Sequence, residues 1–362
     1  VHIPLPFHEH TTTEAVSTGE LPTAQVVSEL LVEVYDHYRD VDEGAVADYI
    51  PALADTDPAL FGVSIVGVGG AGASIGDCSH LFSIQSISKA FVFALVCDAV
   101  GHQEAHRQLG VNATGLGFNS VMAIELNEER TMNPMVNAGA MATTSLVPGD
   151  TVEDRWEFIR AGLSKFAGRE LELDQEVYES ESATNLRNQG IAHLLQSYGR
   201  LYADPDETTD LYTRQCSLLV SADDLALMGA TLADGGMNPM TQEQVIEPFN
   251  CKHVLAAMAT AGLYEHSGDW LYEVGLPGKS GVSGGIVTIS PGKGGLGTFS
   301  PPLDPAGNSV RGQRVTRHLS EKLGLNIFAS RPVAAASAVS PAPASGPRSR
   351  TSGRRGRSAA PH

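Results

Sequence analysis

Two glycine-rich, β-branched segments stand at opposite ends of the chain: "FGVSIVGVGGAGASIGD" (61–77) and "VGLPGKSGVSGGIVTISPGKGGLGTFSPPLD" (274–304). The first reads as a β-hairpin, two runs separated by a glycine cluster, and the second carries β-branched runs suited to strands. From about Gly110 to Glu265 the pattern is mostly helical, with "VEDRWEFIRAGLSKFAG" and "SADDLALMGATLADGG" as its clearest segments. Ahead of the hairpin, "TAQVVSELLVEVYDHYR" (23–39) puts Val27, Leu30, Leu31, Val34 and Tyr38 on one face of an amphipathic helix opened by Thr23 after Pro22. The order helix, strands, helical block, strands predicts an α+β fold. Its antiparallel sheet is completed by both ends of the chain and flanked by helices, with a helical region inserted between the halves.

The chain has 362 residues, enough to bury a large core. Residues 1–20 are polar and mixed, and the tail 329–362 is rich in Ala, Pro, Ser and Arg. Neither composition can offset the entropy of ordering, so both ends are expected to be disordered. Six of the 24 basic residues are arginines of the tail, which leaves 18 basic against 42 acidic residues in the rest. That balance repels nucleic acid and anionic membranes, so neither is expected as a partner. Cys78, Cys97, Cys216 and Cys251 are too widely spaced for redox or zinc motifs and are expected to be free thiols. The N-terminal stretch has no basic start followed by an apolar run, and no run of about 18 apolar residues occurs. The expected location is the cytoplasm.

Three motifs point to chemistry that their context refuses. Gly67, Gly69 and Gly72 match G-x-G-x-x-G after a strand, but "ASIGDCSH" reads as a returning strand where a dinucleotide site needs a helix. "GLPGKS" (275–280) resembles a phosphate-binding loop but has Glu273 at the position of the first glycine. "HEH" (8–10) lies in the polar N-terminal segment, with no matching ligand cluster elsewhere. No metal and no cofactor is expected.

"LFSIQSISKAFVFALVCDAV" (81–100) is different, because it sets Ser86 and Lys89 three apart in an apolar run that predicts a buried helix ended by Gly101. At that spacing the hydroxyl and the amine share a face and come within hydrogen-bond reach. A lysine accepts a serine proton only when burial or a cationic neighbour lowers its pKa, and Ile84, Ile87, Phe91 and Leu95 supply apolar surroundings. A second match, Ser290 to Lys293, sits in a Pro-Gly turn and needs no function. What gives the first one weight is "KSGVSGGI" (279–286), where glycines let a substrate approach the backbone and exposed N–H groups can bind an oxyanion. A serine–lysine helix with a K-[ST]-G strand is the frame of the penicillin-recognising serine enzymes. Lys279 is either catalytic, as in that frame, or a support for Ser86 and the neighbouring loops.

Those enzymes usually add S-x-N or Y-x-N, which is missing here. Instead the chain carries "MNPMVNAGAM" (132–141), "YESESATNLRNQGIAHLL" (178–195), "LYTRQCSLLVSADDLA" (211–226) and "GLYEHSGDWLYEVGLPGKSGVSGGI" (262–286). In these motifs and their order it closely resembles the bacterial glutaminases, from about Leu21 to about Phe328. The resemblance implies a serine β-lactamase-like fold over residues 21–328, with a sheet region at about 21–110 and 265–328 and a helical region at about 111–264. It also implies hydrolysis of L-glutamine to L-glutamate and ammonia, and a homodimer or homotetramer. Ser86 would be the acylated nucleophile and Lys89 its base, with a proton for the leaving ammonia from Lys89 or Tyr264. Tyr49, Asn137, Glu181, Asn188, Tyr212, Tyr264 and Val282 match substrate-contacting positions. Two departures stand out: "GVNATGLGFNS" (110–120) lacks the family's acidic-Pro lead-in, and Ser283 occupies a usual glycine position, where a side chain is expected to restrict the backbone and slow turnover. Rival readings are a β-lactamase, penicillin-binding or esterase activity on the same serine, and a glutamine-binding protein without catalysis.

Overall fold

The computed structural model describes residues 21–330. The expectations for residues 1–20, "HEH" among them, and for the tail beyond 330 lie outside the described residues.

Seven strands form. They are β1 (Gly62–Gly67), β2 (Gly72–Gly76), β3 (Phe82–Ser83), β4 (Leu219–Val220), β5 (Gly278–Ser280), β6 (Gly285–Ser290) and β7 (Gly294–Phe299). β1 and β2 make the expected antiparallel hairpin, with Ser64 opposite Ser74. β7 then pairs with β1, Val63 lying opposite Thr298, so the late glycine-rich segment adds directly to the early hairpin. The sheet runs β2-β1-β7-β6-β5 with antiparallel neighbours throughout. The P-loop-like stretch is β5, a sheet strand rather than the lead into a phosphate-binding helix.

Period-two alternation sends side chains to two separate cores. On one face Val63, Ile65, Ile286 and Leu296 pack with Val27, Leu31 and Val34 of the Ala24–Tyr38 helix and with Val315 and Leu319 of the Val310–Leu323 helix. On the other, Val287, Ile289 and Phe299 join the core of the inserted helices. At the centre of that core lies the Ser88–Val100 helix, buried from Ser88 to Cys97 because it is apolar on every side. Gly101, with φ +88°, ends it. The two clearest sequence helices form as read, Val152–Ala167 and Ala222–Ala233, each opened by a reciprocal cap, Thr151 with Asp154 and Ser221 with Asp224.

The Ala222–Ala233 helix lies so close to β7 that no side chain fits between them. A Cβ at Gly295 would come within 2.2 Å of the Ala226 carbonyl oxygen, and one at Gly297 within 2.1 Å of the Ala222 carbonyl oxygen. These glycines let helix backbone rest on strand backbone. Lys293, in the second serine–lysine match, donates to the Gly324 carbonyl at the end of the Val310–Leu323 helix, a structural task. All four cysteines are free, and among the described residues no helix is long and apolar enough to cross a membrane.

Gly295→Val is expected to lower unfolding free energy by about 3 kcal/mol or more, since the strand and helix must separate to admit the side chain. Gly69→Ala, at a site with nothing within 4 Å, is expected to leave stability unchanged. Urea melts of the two variants check this, and equal stability would refute the packing argument.

Candidate active site

Ser86 sits in a single 3-10 turn, Gln85–Ile87, that feeds straight into the Ser88–Val100 helix. The arm before it is fixed by the β3–β4 pair and by the Ile84 N–H donating to the Leu218 carbonyl at 2.8 Å. Lys89 is only 1% exposed. Its Nζ donates to Ser86 Oγ at 2.8 Å and to Asn137 Oδ1 at 2.7 Å. Burial lowers its ammonium to about 8, outweighing Cys216 and Glu181, which act the other way. The spacing of the two residues therefore gives the contact that it promised.

A cavity of about 310 Å³ opens over this pair. Ser86, Tyr49, Asn137, Glu181, Asn188 and Tyr212 line it, six of the residues singled out in the sequence. Asn137 Nδ2 donates to Asn188 Oδ1 at 3.0 Å, and the Tyr212 hydroxyl to Asn137 Oδ1 at 3.4 Å. Glu181 is buried, and burial raises its carboxyl to about 7 against the opposing pull of Gln85 and Lys89. Tyr49 stands at the mouth, 56% exposed. Tyr264 is buried with a left-handed backbone, φ +56°. Its hydroxyl donates to the Ser280 carbonyl at 3.3 Å, and burial pushes it up to about 12, opposed by hydrogen bonding toward Ser86 and Ser280. Val282 is buried beside Tyr49 and Phe118 in the turn between β5 and β6.

Lys279 makes contacts that suit a support. It is fully buried, with Nζ donating to the carbonyls of Gly262 (2.8 Å) and Ser280 (2.9 Å) and lying 4.3 Å from the centre of the Tyr264 ring. Its contacts hold the segment carrying Tyr264 against β5. Ser283 does not require glycine's backbone freedom, since its φ lies outside the left-handed region. Instead its hydroxyl donates to the Ser83 carbonyl at 2.7 Å, tying the Val282 turn to the arm that carries Ser86.

Two contributors escaped the sequence reading. Gln85 takes a left-handed conformation, φ +49°, and its Nε2 donates to Glu181 Oε2 at 3.4 Å. Phe118 lies with its ring 4.5 Å from that of Tyr264 and 5.9 Å from Lys89 Nζ. Their only signals were a polar residue beside the serine in an apolar run and an aromatic in a glycine-rich loop. Among the described residues no group of three or more His, Cys, Asp or Glu side chains is placed to hold a metal ion.

A sequence profile of the family named Glutaminase matches residues 44–328. The chain belongs to the glutaminase family. It is 58% identical to glutaminase 2 of Yersinia pestis over 317 residues, covering 88% of this chain and 93% of that protein. Identity to the glutaminase of Colwellia psychrerythraea is 49%, over 85% of this chain and 99% of that one. The solved structure of the probable glutaminase ybaS superimposes with a TM-score of 0.84 at 45% identity, across 85% of this chain and all (100%) of that chain. A probable glutaminase from Bacillus subtilis, complexed with 6-diazo-5-oxo-L-norleucine, gives 0.74 at 29% identity, across 90% of this chain and 100% of that one. This glutaminase thus has the serine β-lactamase-like α+β fold expected of it, an antiparallel sheet flanked by helices with a helical insertion.

The Glu181 carboxyl, followed by ¹³C NMR and assigned through Glu181→Gln, is expected to titrate at about 7. Lys89→Met removes a nearby positive charge that favours the carboxylate and should move the midpoint higher. A midpoint below about 5, the range of a solvated glutamate, would contradict the buried geometry.

Proposed function

We propose that this glutaminase hydrolyses L-glutamine to L-glutamate and ammonia through a γ-glutamyl ester on Ser86. The observation that carries this reading is the 2.8 Å contact between a buried lysine amine and the serine hydroxyl, with burial holding that amine at about 8. A substantial neutral fraction at physiological pH makes Lys89 a base.

The cavity suits an α-amino acid. Glu181 offers a carboxylate to the substrate ammonium, while Asn137, Asn188 and the Tyr212 hydroxyl offer neutral donors to its carboxylate, with Tyr49 closing the mouth. The norleucine derivative carried by the Bacillus subtilis relative supports such an occupant. With the ammonium held at Glu181, the side-chain amide reaches Ser86. Lys89 takes the proton as Ser86 Oγ attacks the amide carbon, and the Ser86 and Val282 N–H groups stabilise the oxyanion. The C–N bond then breaks. Ammonia leaves with the proton, returned by Lys89 directly or through the Tyr264 hydroxyl, and water activated by Lys89 hydrolyses the ester.

The catalytic unit in this reading is residues 21–328, with the sheet region at about 21–110 and 265–328 and the helical region at about 111–264. It works in the cytoplasm as a homodimer or homotetramer. Exposed Met122, Leu126 and Leu186, apolar side chains on neighbouring segments of the helical half, support self-association.

Ammonia and glutamate release from glutamine, with asparagine as control, tests the assignment. Ser86→Ala is expected to lose at least about a thousand-fold in kcat while keeping its melting temperature; substantial residual turnover would remove Ser86 from the role. Ser283→Ala loosens the link between the two oxyanion donors and is expected to lower kcat about ten-fold with KM little changed. Ser283→Thr, which keeps the hydroxyl, should stay near the parent enzyme. Equal kcat in all three forms would show that the link is idle.

A further inference from the structure

We propose that Arg187 is the residue by which this site recognises a free α-carboxylate, so that it selects L-glutamine over glutamine whose α-carboxyl is blocked. This rests on the reading above, with the substrate's ammonium at Glu181 and its amide at Ser86.

A free amino acid carries two opposite charges on one carbon. Among the described residues, Glu181 and Arg187 are the two charged side chains that line the cavity over Ser86. The first matches the ammonium and leaves the second for the carboxylate. Glu181 is buried, with Gln85 Nε2 as its direct partner, whereas Arg187 is exposed and stands at the rim. Its Nε donates to the Asn119 carbonyl at 2.9 Å, and Asn119 is itself part of the cavity wall. That bond holds the guanidinium against the wall while its two terminal nitrogens have no carboxylate or hydrogen-bond partner among the described residues.

Arg187 sits beside the donors already assigned to the carboxylate. It directly precedes Asn188 in the first turn of the Leu186–Ser197 helix. Asn188 Oδ1 accepts from Asn137 Nδ2 at 3.0 Å, which leaves the Asn188 Nδ2 donor for a ligand. The Asn137 N–H in turn donates to the Phe118 carbonyl at 2.8 Å, so the loop that accepts from Arg187 is also tied to Asn137. Asn137, Asn188, Asn119 and Arg187 thus form one connected stretch of the wall. The helix itself gives no reason for a cation here. Its first turn is the positive end of the dipole, where an arginine is unfavourable, and no acid is present there to offset it. Outside the tail, 18 basic residues face 42 acidic ones, a field that repels an anion and that a cation at the rim counters locally.

A guanidinium presents paired N–H donors that match the two oxygens of a carboxylate, and a hydrogen bond between charged partners is stronger than a neutral one. Asparagine amides and a tyrosine hydroxyl donate to a carboxylate and to a carboxamide of the same shape. A charge tells the two apart. The α-carboxylate takes no part in the attack on the side-chain amide, so the contact is equally strong before and during the reaction and acts on KM rather than on kcat. The product glutamate keeps the same group and is held by the same contact.

The test measures ammonia release by the full chain from L-glutamine and from L-glutaminamide, in which a neutral carboxamide replaces the α-carboxylate. Where turnover is too slow to follow, inhibition constants against glutamine take its place. Arg187→Gln is expected to raise KM for glutamine at least about ten-fold with kcat changed less than about two-fold, and to leave L-glutaminamide within about two-fold of the parent. Inhibition by L-glutamate should weaken by the same factor as KM for glutamine rises. Arg187→Lys, which keeps the charge without the fork, should fall between the two and decides alone if Arg187→Gln does not fold. A loss shared equally by both substrates would reduce Arg187 to a tie for the Asn119 loop and overturn the proposal, and so would a variant indistinguishable from the parent. Failure of the parent enzyme on glutamine, or full activity in Ser86→Ala, overturns instead the reading of the site beneath it.

Discussion

A lysine amine buried without a carboxylate partner is the feature on which the rest of the site depends. A charge in that position costs several kcal/mol unless it is paired or gives up its proton. Lys89 is offered two neutral oxygens, those of Ser86 and Asn137. They satisfy the amine in either protonation state without stabilising the ammonium as a carboxylate would. An acid in salt-bridge contact would raise its pKa and end its use as a base. Glu181 has Gln85 as its direct partner, and its effect on Lys89 is smaller than that of burial. In the proposed mechanism the one buried carboxylate lining the cavity is thereby left for the substrate's ammonium, and the base is kept free of it.

Two of these groups sit on strained backbone. Gln85, just before Ser86, and Tyr264, whose hydroxyl is hydrogen-bonded toward Ser86, are two of the four non-glycine residues with positive φ among those described. Each such conformation costs on the order of 1–3 kcal/mol, and each is pinned by a serine. Ser88 Oγ donates to the Gln85 carbonyl at 2.8 Å and itself accepts from Gln215 Nε2 at 3.3 Å. Ser267 Oγ donates to the Tyr264 carbonyl at 2.8 Å and accepts from the Leu263 N–H. The strain at Gln85 turns its side chain toward Glu181 while the next residue presents its hydroxyl to Lys89.

The parts legible in the sequence are those set by local period. Helical spacing brought Ser86 to Lys89, and the glycine cluster between β-branched runs gave the β1–β2 hairpin. The cavity residues Asn137, Glu181, Asn188 and Tyr212 came only through family resemblance. They stand on four different helices or helix starts, and no single-chain period relates an asparagine at 137 to a glutamate at 181. Gln85 and Phe118 were missed for a related reason: a left-handed glutamine carries no local signature, and an aromatic in a loop reads as packing until its neighbours are known. Ser283 carries no local sign of its contact: its conformation needs none of glycine's freedom, and the side chain finds an acceptor across the chain at Ser83.

That last bond shows how the two halves of the fold meet. Ser86 is carried by the helical core, whereas Val282 packs in a separate small cluster with Ala47, Ile50, Leu53, Val177 and Leu303, at the end of the sheet. In the proposed mechanism, an oxyanion hole built from both is only as well ordered as the seam between them. Packing at the seam is already close: a Cβ at Gly281 would fall 2.9 Å from the Ile84 carbonyl oxygen, so the strand turn lies directly against the nucleophile's arm. Close packing limits approach, but it does not fix sliding along the arm, which a directional hydrogen bond does. With Ser283 bonded to Ser83 three residues before Ser86, a slip large enough to spoil the donor geometry has to break that bond inside a buried environment, where leaving the hydroxyl unpaired costs about 1–3 kcal/mol. A serine at a usual glycine position thus adds rigidity between the arm that carries Ser86 and the turn that carries Val282.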